Sequence, residues 1–263
     1  MSAVFESTPL LLTGVFLFGA LIGSFLNVVI LRTPPLLEHD WKCQCRELLD
    51  IDAGAEEPPP GLVAGRSKCP KCGHQIRAWE NIPVISYMML KGRCASCGEK
   101  ISARYPLVEL ITATVFAVTI WHFGPTVAGL TALVLSAFLI AMTGIDIDHQ
   151  LSPDNLTIPL LWGGLLLAVW NLHTDLQSSV IGAAAGYLIL WSIYHLFRLL
   201  TGKEGMGYGD FKLLAALGAW LGWSLLPLII LMSAVVGAAV GVLLIVFKQH
   251  ERSVPIPFGP YLA

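Results

Sequence analysis

Residues 10–30 have the sequence LLLTGVFLFGALIGSFLNVVI, and the wider stretch 7–31 contains no Lys, Arg, Asp or Glu. A membrane-spanning helix needs about 20 consecutive, mostly apolar residues. The stretch therefore predicts a first transmembrane helix over 7–31. A cleaved signal peptide is the alternative, but such peptides carry basic residues before the apolar run, and here Lys and Arg occur only after it.

The composition of the whole chain agrees with a membrane protein. Of its 263 residues, 55% are hydrophobic and only 13% are charged, against roughly 25% charged residues in soluble domains. The mean hydropathy is +0.70. So few charged side chains cannot cover a water-soluble domain of this size, and the expected partner is the lipid bilayer. The net charge of −2 gives no support for a nucleic-acid partner.

Four more apolar stretches follow, and they cover residues 110–145, 155–174, 176–197 and 213–247. Gly124-Pro125 interrupts the first of them and Gly222 interrupts the last, so each of these two predicts a pair of helices. The fold class expected is an all-α polytopic membrane protein of about seven transmembrane helices. Six of these helices form a membrane core over 105–247.

Two of these stretches are too short for two full spans, which want about 40 residues. We therefore expect one helix to begin earlier, near Tyr105, and another to begin before Lys212. The first shift draws Glu109 towards the membrane. The second places Asp210 at the membrane edge.

The basic residues predict the orientation of the chain. All 16 Lys and Arg residues lie in the segments 32–104, 198–212 and 248–252, and the alternate loops have none. Cytoplasmic loops of membrane proteins carry the excess of Lys and Arg. The N-terminus is therefore expected on the outer side, and the segments 33–104 and 248–263 are expected to form a cytoplasmic insert and a cytoplasmic tail.

The insert contains a predicted flexible linker and a predicted metal site. The linker is the Pro- and Gly-rich stretch EEPPPGLVAG. After it come two C-x-x-C pairs, formed by Cys69, Cys72, Cys94 and Cys97. Two such knuckles supply the four thiolates of a structural, tetrahedral Zn²⁺ site. Disulfides, free thiols and a redox motif are the alternatives; a reducing cytosol argues against the first, and the absence of a βαβ context argues against the last.

Three other residues of the insert are metal-ligand candidates by type. His74 follows Cys72 closely, but four cysteines already close the coordination shell of a structural zinc ion. Cys43 and Cys45 are for the same reason predicted to be free thiols.

Two polar clusters border the apolar stretches. Residues 145–154, IDIDHQLSPD, place Asp146 at the end of the third span, and residues 205–212, GMGYGDFK, place Asp210 at the start of the sixth. Ionisable residues at membrane depth are costly and are functional candidates by default. Both clusters lie on the predicted cytoplasmic side. Two carboxyl groups brought together share a proton, so one can activate water while the other protonates the substrate.

Three glycines precede the second acid, Gly205, Gly207 and Gly209. Glycine allows positive φ and a close approach of the backbone to a ligand. The loop is therefore predicted to approach an extended substrate, which can pair with it as a strand would. A simple helix-capping role for Asp210 is the alternative.

The neighbouring polar residues are expected to have simpler roles. Asp148 points to a different helix face from Asp146 and is expected to face water, as is His149. Asp154 follows a proline at the start of a helix and is predicted to be its N-cap. Glu109 is interpreted as a snorkelling or helix-terminal acid, with a functional role as the alternative.

The chain resembles the type IV prepilin peptidase family of bacterial inner-membrane proteins over nearly its whole length. The Gly-x-Gly-Asp element is also similar to that of presenilin-type intramembrane proteases. The motifs that carry the resemblance are the two C-x-x-C pairs, Gly23-Ser-Phe-Leu-Asn27, Trp79-Glu-Asn-Ile-Pro83, Tyr105-Pro-Leu-Val-Glu109, Asp146, His149-Gln-Leu-Ser-Pro-Asp154, Gly207-Tyr-Gly-Asp210 and Pro257-Phe-Gly-Pro260.

The resemblance implies a bifunctional enzyme of type IV pilus and type II secretion systems. Such an enzyme cleaves the basic leader of prepilins and pseudopilins after a glycine, and then N-methylates the new N-terminal residue with S-adenosylmethionine. Asp146 and Asp210 match the catalytic aspartates of the family. The four paired cysteines match its zinc ligands, a region associated with methylation, and no residue is assigned to the methyl donor.

The resemblance also implies an eighth span beyond the Pro-Phe-Gly-Pro motif. The 248–263 tail is therefore expected to be truncated relative to the family. Two other functions are kept as hypotheses. One is an intramembrane aspartic protease for other signal peptides, and the other is a non-enzymatic, zinc-anchored assembly factor.

Overall fold

The computed structural model describes residues 2–51, 58–62, 65–203, 206–248 and 258–263. Within these residues the regular structure is helical, apart from two isolated β-bridges. The α-helices are α1 (Ser2–Leu48), α2 (Ile85–Met89), α3 (Arg104–Phe123), α4 (Val127–His149), α5 (Asp154–Ala168), α6 (Leu176–Thr201), α7 (Tyr208–Leu221), α8 (Leu226–Lys248) and α9 (Gly259–Leu262).

Among the described residues, five helical segments are long and apolar enough to cross a membrane. They are Thr8–Leu48, Arg104–Phe123, Val127–His149, Leu176–Thr201 and Trp223–Leu243. Helices α5 and α7 have only 15 and 14 residues, and at 1.5 Å per residue they fall short of a hydrocarbon core of about 30 Å. The all-α membrane class is confirmed, while the number of about seven spans stays a prediction.

Helix α1 extends well beyond the predicted first span. It continues through Pro34 and Pro35 to Leu48. The sequence prediction ended the span at the first charged residue, Arg32. Hydropathy marks where apolar character ends and not where the helix itself ends, so the extension was not predicted.

The chain divides into two compact units, Met1–Ala141 and Met142–Ala263. In the first unit, α1 packs against α3 through two glycines one turn apart. A Cβ atom on Gly19 would lie 2.8 Å from Ala113 Cα, and one on Gly23 would lie 2.7 Å from Glu109 Cα. Small residues at this spacing let two membrane helices approach closely. The Asn27 side-chain amide also donates to the Tyr105 carbonyl at 3.0 Å.

In the second unit, α7 is the enclosed helix. Residues 210–211 and 213–220 of this helix are all buried. Two polar contacts join its C-terminal half to its neighbours: Ser179 Oγ donates to the Ala219 carbonyl at 2.6 Å, and Trp220 Nε1 donates to the Leu160 carbonyl at 2.7 Å. Burial on all sides explains how so short a helix is stable in this unit.

Close packing of α6 on α7 depends on Gly182, because a Cβ atom there would lie 2.3 Å from the Gly218 carbonyl oxygen. We expect Gly182→Ala to lower the stability by about 1–3 kcal/mol through overpacking. The control is Gly163→Ala in α5, where the new Cβ meets only Trp220 at 3.5 Å. Thermal unfolding in one detergent should give a lower midpoint for the first variant alone, and equal midpoints would contradict the prediction.

Candidate active site and metal centre

The two candidate catalytic acids lie at facing helix ends within the second unit. Asp146 is in the last turn of α4 and Asp210 is in the first turn of α7. Only 6% of Asp146 and 7% of Asp210 is exposed. Burying a carboxyl group is costly unless its environment compensates for the lost water.

Both carboxyl groups meet at one residue of α9. A Cβ atom built on Gly259 would lie 2.5 Å from Asp146 Oδ2 and 3.1 Å from Asp210 Oδ1. One volume the size of a methyl group therefore touches both acids. Residues far apart in sequence form a buried acid pair, as proton sharing requires.

The glycine-rich loop holds Asp210 in place through packing. A Cβ atom on Gly209 would lie 2.5 Å from Ser152 Cβ, so the absent side chain lets α7 begin directly against the loop that follows α4. Gly207 precedes the helix with extended backbone, φ −81° and ψ 149°, which any residue can adopt. Gly205 lies outside the described residues. The role of the three glycines in approaching a substrate stays a prediction.

The prediction for Asp154 was wrong. The N-cap of α5 is Pro153, and Asp154 is the first helical residue, with no capping hydrogen bond from a side chain at that end. Its carboxylate instead accepts from Lys212 Nζ at 2.6 and 2.9 Å. Asp148 and His149 are exposed, as predicted.

Glu109 is more buried than a snorkelling acid. Its exposed fraction is 8%, and its Oε2 accepts from the Val84 backbone N–H at 2.8 Å. The Ser24 side chain also hydrogen-bonds to it. Val84 has φ +60°, which is unfavourable for a β-branched residue and persists only where the surroundings impose it. Glu109 thus anchors the segment between the two cysteine pairs to the membrane helices of the first unit.

We expect Glu109→Leu to release this segment, because the Val84 N–H would lose its acceptor at a cost of about 1–3 kcal/mol. Glu109→Gln is the matched control, since its amide oxygen can still accept. Hydrogen exchange of peptides covering residues 77–92 should accelerate in the leucine variant. Unchanged exchange there would show that the contact does not hold the segment.

The four paired cysteines form one cluster in the first unit. The Sγ atoms of Cys69 and Cys97 are 3.9 Å apart, those of Cys72 and Cys94 are 4.0 Å apart, and all four lie within 4.8 Å of one another. Tetrahedral zinc with Zn–S bonds of about 2.3 Å needs sulfur separations of about 3.8 Å. The cluster fits such an ion, so these residues can hold a metal.

Each cysteine pair forms the same backbone knuckle. The N–H of Cys69 donates to the His74 carbonyl, and the N–H of Cys94 donates to the Glu99 carbonyl, at 2.9 and 2.8 Å. Gly73 and Gly98 follow the second cysteines with φ of +69° and +70°, where glycine is favoured. Each glycine therefore allows the tight turn that closes its knuckle.

The backbone around Cys69 and Cys94 lowers the pKa of both thiols, whereas loss of solvent and the neighbouring thiols raise the pKa of Cys97 to about 11. The backbone N–H groups of Cys72 and Lys71 lower the pKa of the Cys69 thiol to about 7, and the thiolate is the metal-binding form. His74 is engaged elsewhere, since its Nε2 lies 3.1 Å from Glu80 Oε2. Cys43 and Cys45 are exposed in α1 and are not among the clustered ligands of the described residues.

One residue of the acid site was missed by sequence reasoning. Gly259 belongs to the Pro-Phe-Gly-Pro motif quoted above, but the motif carries no charged group and its spacing predicts no site. The only available signal was a lone glycine between an aromatic residue and a proline. Its contact with both acids follows from packing alone.

A membrane-helical chain with a buried pair of acids fits the class of membrane-embedded aspartic peptidases. Comparison with known proteins gives the family within this class. The family model of the Bacterial Peptidase A24 N-terminal domain matches residues 17–123, and that of the Type IV leader peptidase family matches residues 133–242. No solved structure matches the chain.

Three relatives show the extent of the similarity. Each is named "Prepilin leader peptidase/N-methyltransferase". The protein of Aeromonas hydrophila is 56% identical over 95% of this chain and 86% of its own length. That of Pseudomonas aeruginosa is 53% identical over 94% and 85%, and that of Burkholderia pseudomallei is 47% identical over 99% and 86%. The chain therefore belongs to the type IV leader peptidase family.

Proposed function

We propose that this protein cleaves the leader peptide of type IV prepilins and pseudopilins after a glycine, with Asp146 and Asp210 as the catalytic pair. We further propose that it N-methylates the new N-terminal residue. The observation that carries the peptidase assignment is the meeting of two buried carboxyl groups at Gly259. The name that the relatives share, prepilin leader peptidase/N-methyltransferase, supports both activities.

The chemistry requires one proton shared by the pair. The ionised carboxylate takes a proton from water, whose oxygen attacks the scissile carbonyl carbon, while the protonated partner donates to the carbonyl oxygen. When the tetrahedral intermediate collapses, the C–N bond breaks and the leaving amine takes the proton that the first carboxyl group received from water. The partner carboxylate takes a proton from a hydroxyl of the intermediate, which restores the pair to its starting state. The low exposure of both acids keeps bulk water from replacing these transfers.

The loop before α7 is the proposed path by which the substrate peptide reaches the acid pair. Its extended backbone at Gly207 suits pairing with an extended peptide, which is how strands add to an exposed backbone edge. Gly205, Gly207 and Gly209 are the proposed approach loop.

Two cofactors belong to the proposal. Zn²⁺ is held by Cys69, Cys72, Cys94 and Cys97, whose sulfur separations suit it. The ion has a structural role, because four cysteines leave no open coordination position. S-adenosylmethionine supplies the methyl group for the amine.

The proposed location is the bacterial inner membrane, with the N-terminus periplasmic. The insert and the acid pair then face the cytoplasm, because the basic residues flank them. A prepilin has an apolar helix with a basic leader, so the leader junction can meet the acids without crossing the membrane.

Mass spectrometry of the products tests the function. Incubation of purified protein with a prepilin and S-adenosylmethionine should yield a cut after glycine and a product heavier by one methyl group. A cut at unrelated signal peptides would favour the alternative intramembrane protease. No cleavage by the intact protein would favour the assembly factor.

Labelling of single cysteines tests the orientation. In a background lacking all six native cysteines, Asp148→Cys should react only with reagent that reaches the cytoplasm. Gln177→Cys, an exposed position at the start of α6, is the control and should react from the periplasm. Labelling of position 148 by an impermeant reagent in intact cells would overturn the proposed side of cleavage.

A further inference from the structure

We propose that Gly259 is a positioning residue for the acid pair: its bare α-carbon sets how close the carboxyl groups of Asp146 and Asp210 come to each other. The inference rests on the proposed peptidase function. It assigns a role to a residue that carries no reactive group.

The need for glycine at this position is a need for space. Gly259 is the first residue of α9, and the preceding Phe258 has φ −89° and ψ −29°. Gly259 is not among the residues with positive φ. Any L-residue can adopt its backbone conformation, so backbone freedom does not explain the glycine. The clash of a Cβ atom with both carboxyl groups does.

The packing of α9 fixes this α-carbon against the acids. Gly259 and Leu262 are buried, and the Tyr261 ring lies against Gly237 of α8, where a Cβ atom would come within 3.2 Å of it. The short helix is therefore held on the same unit that carries both acids. It cannot retreat freely from an added side chain.

The oxygen that faces Gly259 is also the one expected to react. Asp146 Oδ2 is buried, and no hydrogen-bond donor of the described residues reaches it. Most buried carboxylate oxygens are paired, and an unpaired one deserves a functional explanation. An oxygen with its lone pairs uncommitted can accept the proton of a water molecule. Gly259 thus borders the atom that carries out the proposed first proton transfer.

A side chain at position 259 must push the carboxyl groups apart. A Cβ atom 2.5 Å from Asp146 Oδ2 is well inside van der Waals contact, so the carboxyl group would rotate or shift. A misplacement of about 1 Å in a catalytic group can lower the rate by about 100-fold. Binding of the leader peptide need not change, since the substrate contacts other surfaces as well.

The test is the kinetics of prepilin processing by full-length Gly259→Ala in detergent. We expect kcat to fall by about 100-fold with KM within about twofold of the parent. The pH profile of kcat should also change shape, because two carboxyl groups titrate as one coupled unit only while they are close. Gly163→Ala in α5 is the control and should keep the parent kcat and pH profile.

If Gly259→Ala is less stable than the parent, a double-mutant cycle with Asp146→Ala shows whether the contact with the carboxyl group is the cause. If the defect comes from contact with the carboxyl group, Asp146→Ala should restore the thermal midpoint of the Gly259→Ala variant, since the clash is removed. A defect that Asp146→Ala does not relieve would overturn the proposal, because it would show a purely backbone role.

Two further outcomes separate this inference from the proposed function. A parent-like kcat and pH profile for Gly259→Ala, with Asp146→Asn inactive, would overturn the positioning role and leave the peptidase assignment intact. Full processing by Asp146→Asn would overturn both.

Discussion

Asp146→Asn and Asp210→Asn should each reduce prepilin processing by about 10⁴-fold or more. The two buried carboxyl groups meet at Gly259, and residues that act as one catalytic unit lose most of the rate when either is removed. An amide cannot take a proton from water, so the replacement of one member leaves the other without a partner. Processing is measured as the rate of leader release from a purified prepilin.

The matched control is Asp148→Asn, which removes a carboxylate two residues from Asp146 at an exposed position. It should process prepilin at nearly the parent rate. Methylation of a pilin peptide that already lacks its leader should continue in all three variants, which shows that the loss is not a general folding defect. Leader release at the parent rate by Asp210→Asn would refute the catalytic pair.

The Cys72→Ser/Cys97→Ser variant should lose its zinc, from about one ion per chain to essentially none. The change removes one thiolate from each knuckle, and structural zinc is held by all four ligands together. Because binding of such an ion contributes directly to folding, the segment around the knuckles should also become sensitive to protease. Metal content is measured by elemental analysis after purification without chelator.

The control for this variant is Cys43→Ser/Cys45→Ser, which changes the two exposed cysteines of α1. It should retain one zinc ion per chain. Methyl transfer should fall in the variant without zinc, while leader cleavage persists, since Asp146 and Asp210 lie in the other compact unit. Undiminished zinc in the Cys72→Ser/Cys97→Ser variant would refute the site.

Sequence reasoning was most successful where the signal is local. The knuckles around Cys69 and Cys94 form within a few residues, so a C-x-x-C-Gly pattern encodes nearly all of their geometry. Hydropathy located the apolar helices in the same way, because about 20 consecutive residues carry the information. It was less successful at helix ends, as the continuation of α1 to Leu48 shows, since a helix can leave the apolar layer without ending.

The errors concern side chains whose partners are distant along the chain. Asp154 looked like an N-cap because it follows a proline, but Lys212, far along the chain, provides its partner. Glu109 looked like a helix-terminal acid, and the Val84 N–H that it accepts from belongs to a loop with an unusual backbone conformation. Local propensity contains no information on such partners.

The sequence by itself therefore determined the membrane class, the four cysteines that cluster and the two acids that are candidates for catalysis. Composition, hydrophobic pattern and short motif spacing are all properties of neighbouring residues. Only the tertiary structure placed Gly259 against Asp146 and Asp210. Contacts among residues on three different helices arise from packing, and packing depends on all the helices of the unit at once. Proton sharing depends on the distance between the two buried carboxyl groups. That distance is decided by the folded unit and not by any one stretch of the chain.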